Sequence, residues 1–536
     1  MSAAEPGGAV APPWWRDGVL YQIYPRSFAD STGNGNGDLR GVIEHLDHLA
    51  WLGVDGIWLG PINPSPDADW GYDVSDYTAV DPDFGDLADL DRLVREAGER
   101  GIRVILDLVP NHTSDRHAWF AEARSDRSAE RRDWYVWADG KADGSPPNNW
   151  RSSFGGPAWT WEERTGQFYL HNFLPEQPDL NWWNEDVAGA FDDILRFWFD
   201  RGIAGFRIDV ANGLVKDRDL RDNPVTTDED HPQVRAIGLR PVYNMNQAEV
   251  HDVYRRWRAI ADSYDPARML LGETWVWDLG SVMGYYGSGT DELNLALNFP
   301  FIFAELGTGT QAMVESVETM IPSDAWPTWT GSNHDVGRFP SRWGDGDDRR
   351  VRAALLMLLT LRGTPLLYYG DEIGLPEVEV PRDRLRDPVG VRGWPENRGR
   401  DAGRTPMQWT GDGGFTSAGV EPWLPMGDSA ARNVADQRED PGSILHLCRN
   451  LIALRGERED LRSGAYEPLD TPGDVWVWRR GAETLVAMNH SEEPAELEVG
   501  RGEVLLGTAR DRGGERVDGR LRLDPWEAVV LASGEG

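Results

Sequence analysis

Apolar and polar positions along this chain fall into short runs of two alternating kinds. GVLYQIYPRSF (18–28), GVDGIWLGP (53–61), GIRVILDLVP (101–110) and GFRIDVA (205–211) are apolar on successive residues and predict strands buried on both faces. Between them, LRGVIEHLDHLAWLG (39–53), LADLDRLVREAGERG (87–101) and VAGAFDDILRFWFDRGI (187–203) carry apolar residues at helical spacing. The alternation continues with a helix over 247–264 and strands over 269–275, 293–300, 326–333 and 363–370. Eight such strands separated by helices predict an α/β fold, a closed (β/α)8 TIM barrel rather than an open doubly wound sheet.

Two long gaps break the rhythm. Residues 112–184, rich in Trp, Gly, Pro and Asn, are too many for a simple connection and predict a small inserted domain after strand three. A second insertion, about 374–440, is full of Arg, Asp, Gly and Pro. From about 465 the pattern changes to short β-like stretches, VWVWRR, TLVAMNH, VLLGTA and WEAVVLAS. The expected domains are a barrel over 14–111 and 185–460, an insert over 112–184, and a C-terminal antiparallel, sandwich-like β-domain over 461–536.

Three acids close apolar runs: Asp209 in GFRIDVANG, Glu273 in LLGETW and Asp335 in TWTGSNHDVGR. A carboxylate where a hydrophobic strand ends is misplaced for packing and well placed for a barrel active site. Hydrolysis of a glycosidic bond needs two carboxylates facing each other across that bond. Arg207, two residues before Asp209, shares its side of the strand, where a guanidinium would keep the carboxylate ionised.

The net charge of −36 excludes the basic footprint of a nucleic-acid binder. Cys448 is the one cysteine, so no intramolecular disulfide forms. The start, MSAAEPGGAVAPPWW, lacks a signal-peptide pattern, and no run approaches the roughly 20 apolar residues of a membrane span. The expectation is a soluble, cytoplasmic protein that is a monomer or homodimer.

In DSTGNGNGD (30–38), oxygen donors alternate with glycine, the layout of a looped divalent-cation site. Asp30, Thr32, Asn34 and Asp38 are the candidate side-chain ligands, with the backbone carbonyl of Asn36. A Gly-rich turn without metal is the competing reading.

GVDGIWLGP (53–61), DLVPNH (107–112), QPDLNWWN (177–184), GFRIDVANG, GETW, SNHD and GTPLLYYGDE (363–372) occur in one order along the chain. Through them nearly the whole chain resembles glycoside hydrolase family 13, the α-amylase family, and within it the exo-acting α-glucosidases and oligo-1,6-glucosidases. The resemblance implies that Asp209 is the nucleophile, Glu273 the acid/base, and Asp335 the acid that holds the sugar 2- and 3-hydroxyls. It implies contact of Arg207 with the nucleophile, His112 and His334 on glucose hydroxyls, and Tyr72 as an aromatic platform. Asp69 resembles the acid that pairs with an arginine and closes the pocket in exo-acting members. Arg400 and Arg404 both fit as that arginine.

Phe154 and Phe173 resemble aromatic pocket walls, and read equally well as core of the insert. The resemblance implies no cofactor for catalysis, a structural calcium or magnesium in 30–38, and small α-glucosides as substrates. Val210, after the nucleophile, leans towards α-1,6 linkages. The text 211–224 looks more like actinobacterial α-glucosidases acting on maltose, which favours α-1,4. Transglucosylases use the same three acids and stay open as an alternative.

Overall fold

The structure, a computed structural model, describes residues 12–471 and 473–534. The Pro/Gly-rich leader lies outside them up to residue 11, as do the last two residues of the expected C-terminal domain. Eight parallel strands form the central sheet: β1 (Leu20–Ile23), β2 (Gly56–Leu59), β3 (Arg103–Leu108), β4 (Gly205–Ile208), β5 (Met269–Gly272), β6 (Leu295–Ala296), β7 (Thr328–Trp329) and β8 (Thr364–Tyr368). β8 pairs with β1, and a parallel bridge from Leu297 to Thr328 joins the β6 and β7 edges. The result is the TIM barrel that the alternation predicts.

Side chains alternate across the barrel wall as strand geometry requires. Leu20, Trp58, Ile105, Met269, Leu271 and Leu366 share one buried cluster, while Tyr21, Ile57, Leu106, Phe206 and Ile208 belong to a second that takes in the surrounding helices. Arg207 therefore faces away from the second cluster, with Asp209 two positions further on the same side. Register then sets the neighbours: Asp107 of β3 stands opposite Arg207 of β4.

Several elements are shorter than their apolar runs. The run 18–28 stops as a strand at Ile23, and Pro25, which has no N–H for a ladder, opens a short helix to Phe28. The predicted helix 39–53 is two, α1 (Leu39–Glu44) and α2 (Leu46–Leu52), broken where the His45 ring lies 2.8 Å from the Gly41 carbonyl. β6 and β7 hold two residues each, because Asn298 caps a new helix and Gly331 turns the chain beside Phe339 and Trp343. The longer helices match the pattern: α3 (Leu87–Glu99), α4 (Glu185–Asp200) and α5 (Val250–Asp262).

Within 112–184, strands Trp137–Ala138, Gln167–Leu170 and Trp159–Glu162 form a three-stranded antiparallel sheet. Lys216 anchors this segment, its ammonium 2.9 Å from Asp179 and 2.8 Å from Asn111. The C-terminal segment carries β9 (Tyr466–Leu469), β10 (Val475–Arg480), β11 (Thr484–Asn489), β12 (Ala495–Gly507), β13 (Arg516–Leu523) and β14 (Ala528–Ser533). They make one antiparallel sheet in the order β9-β10-β11-β14-β12-β13, not two hydrogen-bonded sheets of a sandwich. The long β12 slips register at two points, and the sheet encloses its own cluster of Val475, Leu485, Val504, Leu521 and Val529. Among the described residues no helix is long and apolar enough to cross a membrane.

Candidate active site

One guanidinium organises the C-terminal mouth of the barrel. Arg207 is fully buried, and its Nη1 donates to Asp107 at 2.8 Å and to Asp209 at 2.9 Å. Its Nη2 lies 2.6 Å from Glu273, on the next strand end. The arginine expected to serve Asp209 alone thus serves three buried carboxyls. Asp209 and Glu273 thus share the two terminal nitrogens of one guanidinium.

The residue between these acids is strained. Val210 has φ 46°, a left-handed conformation that a β-branched residue rarely adopts and that costs about 1–3 kcal/mol. Its surroundings impose it. Val210 N–H donates to Glu273 Oε2 at 2.9 Å, and Ala211 N–H to the Glu273 carbonyl at 3.0 Å. Gly213 closes the turn, since a Cβ there would stand 2.6 Å from Val210. The turn thereby holds one oxygen of Glu273 on the Val210 N–H.

Charge in this mouth is finely opposed. Burial pushes the Asp209 carboxyl up, Glu273 adds repulsion, and Arg207 offsets only part of it, leaving Asp209 well above its ordinary range. Burial likewise raises Glu273, opposed by Arg207 and supported by Asp335. Burial raises Asp107 to about 6 against the pull of Arg207. Such a cluster retains protons in the empty site that isolated acids would release. Asp335 differs. Burial pushes it up, but a contact with His334 at 3.1 Å and the charges of Arg400 and Arg404 outweigh that and hold it well below.

Tyr72 and the two histidines form the floor. Tyr72 OH donates to Asp107 at 2.9 Å and lies 2.5 Å from His334 Nε2, the two rings parallel with centroids 5.2 Å apart. His112 Nε2 is 2.9 Å from the Tyr72 carbonyl and 3.0 Å from the Gln177 amide. Burial lowers both His112 and His334 to about 4, so each is neutral at pH 7 and contributes hydrogen bonds rather than charge.

The mouth is closed on one side by Asp69 and Arg400. Arg400 Nη2 donates to Asp69 at 2.6 Å, and its Nη1 to Asp335 at 3.0 Å. Arg404 donates instead to the His334 carbonyl at 2.8 Å and to Asp335 at 3.0 Å. Of the two arginines that fit the sequence, Arg400 is the partner of Asp69. Phe154 lies under the Arg400 guanidinium at 5.0 Å, and Phe173 packs between Phe154 and His112. Neither belongs to the insert's own core of Trp150, Trp159, Phe168 and Leu170.

The loop 30–38 lies elsewhere and does not gather its oxygens. Asp30 Oδ1 accepts from Thr32 N, Thr32 Oγ1 and Gly33 N, and Oδ2 from Gly35 N and Thr416 Oγ1. Asp38 caps α1 by accepting from Gly41 N at 2.7 Å, and also accepts from Ser31. Asn34 is exposed and accepts from Asn36 N. Asp30 is saturated by N–H and O–H donors while Asp38 Oδ2 accepts only from Ser31 N, so a cation here would have to displace hydrogen bonds of Asp30. Among the described residues no group of three or more His, Cys, Asp or Glu is placed to hold a metal ion. As folded, the loop is a Gly-rich turn held by these hydrogen bonds.

Three residues of the mouth escaped the sequence reading. Asp107 and Gln177 lie in motifs that were recognised, DLVPNH and QPDLNWWN, and the strand-end position of Asp107 was a usable signal. Asp387, which makes three contacts with Arg400, sits in the Arg/Asp-rich second insertion, where nothing distinguishes it from its neighbours.

Comparison with known proteins agrees with this fold. Residues 22–464 match the model of the alpha amylase catalytic domain. The chain is 44% identical to a probable alpha-glucosidase of Rhizobium meliloti (strain 1021), with 96% of each chain covered. It is 36% identical to an oligo-1,6-glucosidase of Heyndrickxia coagulans, covering 96% of this chain and 99% of that one. Among solved structures, the alpha-glucosyl transfer enzyme XgtA superposes with a TM-score of 0.91 at 42% identity, over 98% of this chain and all of that one. The barrel and its acid-lined mouth define a glycoside hydrolase. The chain belongs to the α-amylase family, glycoside hydrolase family 13, and is an enzyme of the α-glucosidase kind.

Proposed function

We propose that this enzyme is a retaining exo-α-glucosidase that removes glucose from the non-reducing end of maltose and short malto-oligosaccharides. The observation that carries the reading is the Arg207 bridge, whose Nη1 lies 2.9 Å from Asp209 and whose Nη2 lies 2.6 Å from Glu273. Two carboxyls held on one rigid guanidinium support the closer spacing of a retaining pair over the about 6.5–9.5 Å that an inverting pair leaves for a water.

In this reading Asp209 attacks the anomeric carbon while Glu273 gives its proton to the leaving oxygen. A covalent glucosyl ester on Asp209 results. Glu273, now a carboxylate oriented by Val210 N–H, takes a proton from water, which attacks the ester and restores the α-configuration. Arg207 stabilises Asp209 as a leaving carboxylate. Asp335, held ionised by two arginines, accepts from the sugar hydroxyls, and the neutral His112 and His334 bind others. With Asp209 attacking as a carboxylate and Asp335 held ionised nearby, negative charge faces the positive charge that develops on the ring. The Asp69–Arg400 pair supports exo attack, because it stands where a longer chain would continue.

The text 211–224 favours α-1,4 linkages, and Val210 favours α-1,6. Likeness to XgtA keeps glucosyl transfer as the second reading. The proposed barrel, insert and C-terminal domains keep the boundaries read from sequence, with a cytoplasmic monomer or homodimer as the proposed state. The deciding assay offers maltose, isomaltose, trehalose and sucrose and follows the products by NMR. Release of α-glucose, fastest from maltose, is expected. Initial β-glucose overturns retention, faster cleavage of isomaltose overturns the linkage, and isomerised disaccharide without free glucose favours transfer.

A further inference from the structure

Arg400 does not reach across the mouth unaided. Its backbone N–H and Nε donate to Asp387 Oδ2 at 2.6 and 3.1 Å, and its Nη2 to Asp387 Oδ1 at 2.7 Å. Asp387 itself is fully buried and fixed: its N–H and that of Arg386 both donate to Asp401 Oδ2, at 2.9 and 2.6 Å. The approach is built into the backbone. Gly399 has φ 72°, and a Cβ there would meet Asp387 Oδ2 at 2.5 Å and Gly390 N at 2.6 Å. A Cβ on Gly390 would meet the Arg398 carbonyl at 2.4 Å.

The same segment also holds the opposite side of the mouth. The Arg386 carbonyl accepts the indole N–H of Trp70 at 2.8 Å. Trp70, at φ 50°, is the neighbour of Asp69. Residues 386–387 therefore tie together the two loops that supply Asp69 and Arg400.

We propose that Asp387 is a positioning and specificity-determining residue, the anchor of a three-loop clasp that holds Arg400 so that it serves Asp69 and Asp335 at once. The inference rests on the exo-α-glucosidase reading for its consequence, which is recognition of the terminal glucose. A guanidinium shared by three carboxylates has its direction set by the one that takes most of its donors. Here that is Asp387, which accepts from the backbone N–H, Nε and Nη2 of Arg400. Without it, Arg400 has the same charge and no fixed direction, so binding suffers more than chemistry.

The test is a double-mutant cycle of Asp387→Asn and Arg400→Ala, run on whichever α-glucoside the wild type turns over fastest. Asp387→Asn is expected to lower kcat/KM by between about ten- and a hundredfold, mainly through KM, and by less than about twofold once Arg400 is alanine. Asp387 Oδ1 also accepts from Val389 N at 3.2 Å, and Asp387→Ser, which keeps an oxygen for that N–H, serves if the Asn variant folds poorly. Equal losses in both backgrounds, or a loss confined to kcat, overturn the clasp. The same cycle read in melting temperature needs no substrate: non-additive shifts are expected, and additive ones refute the coupling. Failure of the enzymatic reading is separate, since the wild type would then release no glucose from any α-glucoside.

Discussion

Arg207 lies 2.6 Å from Glu273, on a neighbouring strand, while its other terminal nitrogen holds Asp209 at 2.9 Å. A single buried cation between the candidate acid and the candidate nucleophile ties their protonation together. It also fixes their separation, because a guanidinium is planar and offers its donors in a rigid fork.

Asp209→Asn and Glu273→Gln are each expected to remove at least about three decades of kcat, as loss of one member of a catalytic unit does. Steady-state kinetics on the folded variants check this. Near-normal turnover in either variant removes that residue from the chemistry.

Asp69→Ala should impair maltose cleavage through KM, kcat or both, because Arg400 loses its 2.6 Å partner and the terminal glucose loses acceptors. In the wild type, soluble starch should be a poor substrate beside maltose. Rapid release of maltose and longer products from starch counts against the closed pocket.

Asp371 gives a pH-dependent test away from chemistry. Burial raises its carboxyl to about 7, against hydrogen bonds from Tyr368 N and Ser332 Oγ. A raised carboxyl contributes stability that is complete below its unfolded value near 4 and is lost as pH rises through 7, by roughly 1.4 kcal/mol per pH unit. Asp371→Asn removes that loss. Its melting temperature should gain on the wild type between pH 5 and pH 8; a pH-independent difference rejects the raised carboxyl.

The loop 30–38 is expected to ignore chelators. Millimolar EDTA should leave the melting curve unchanged. Asp38→Ala should cost about 1 kcal/mol with or without EDTA, as loss of the α1 cap. A melting temperature that EDTA lowers in the wild type and not in Asp38→Ala restores the cation site.

Much of this protein was decided by local sequence. Continuous apolar runs between helical periods leave few arrangements other than a parallel barrel. Strand-end acids mark its candidate catalytic face, because Asp209 and Glu273 follow strands whose period points them inward. What the sequence left open depends on partners far along the chain. Arg400 and Arg404 are four residues apart in equally suitable text, and only packing sends Arg400 to Asp69, 331 positions away. Asp107 becomes part of the site through the β3–β4 register, and Asp387 through a backbone contact between two glycines, neither of which a linear pattern displays. The loop 30–38 depends on its partners in the same way. Its spacing promises ligands, but which atoms an aspartate faces is settled by the donors folded around it, and here they are backbone N–H groups and Thr416. Periodicity fixes which side of an element a residue occupies; the identity of its neighbour is a property of the assembled structure.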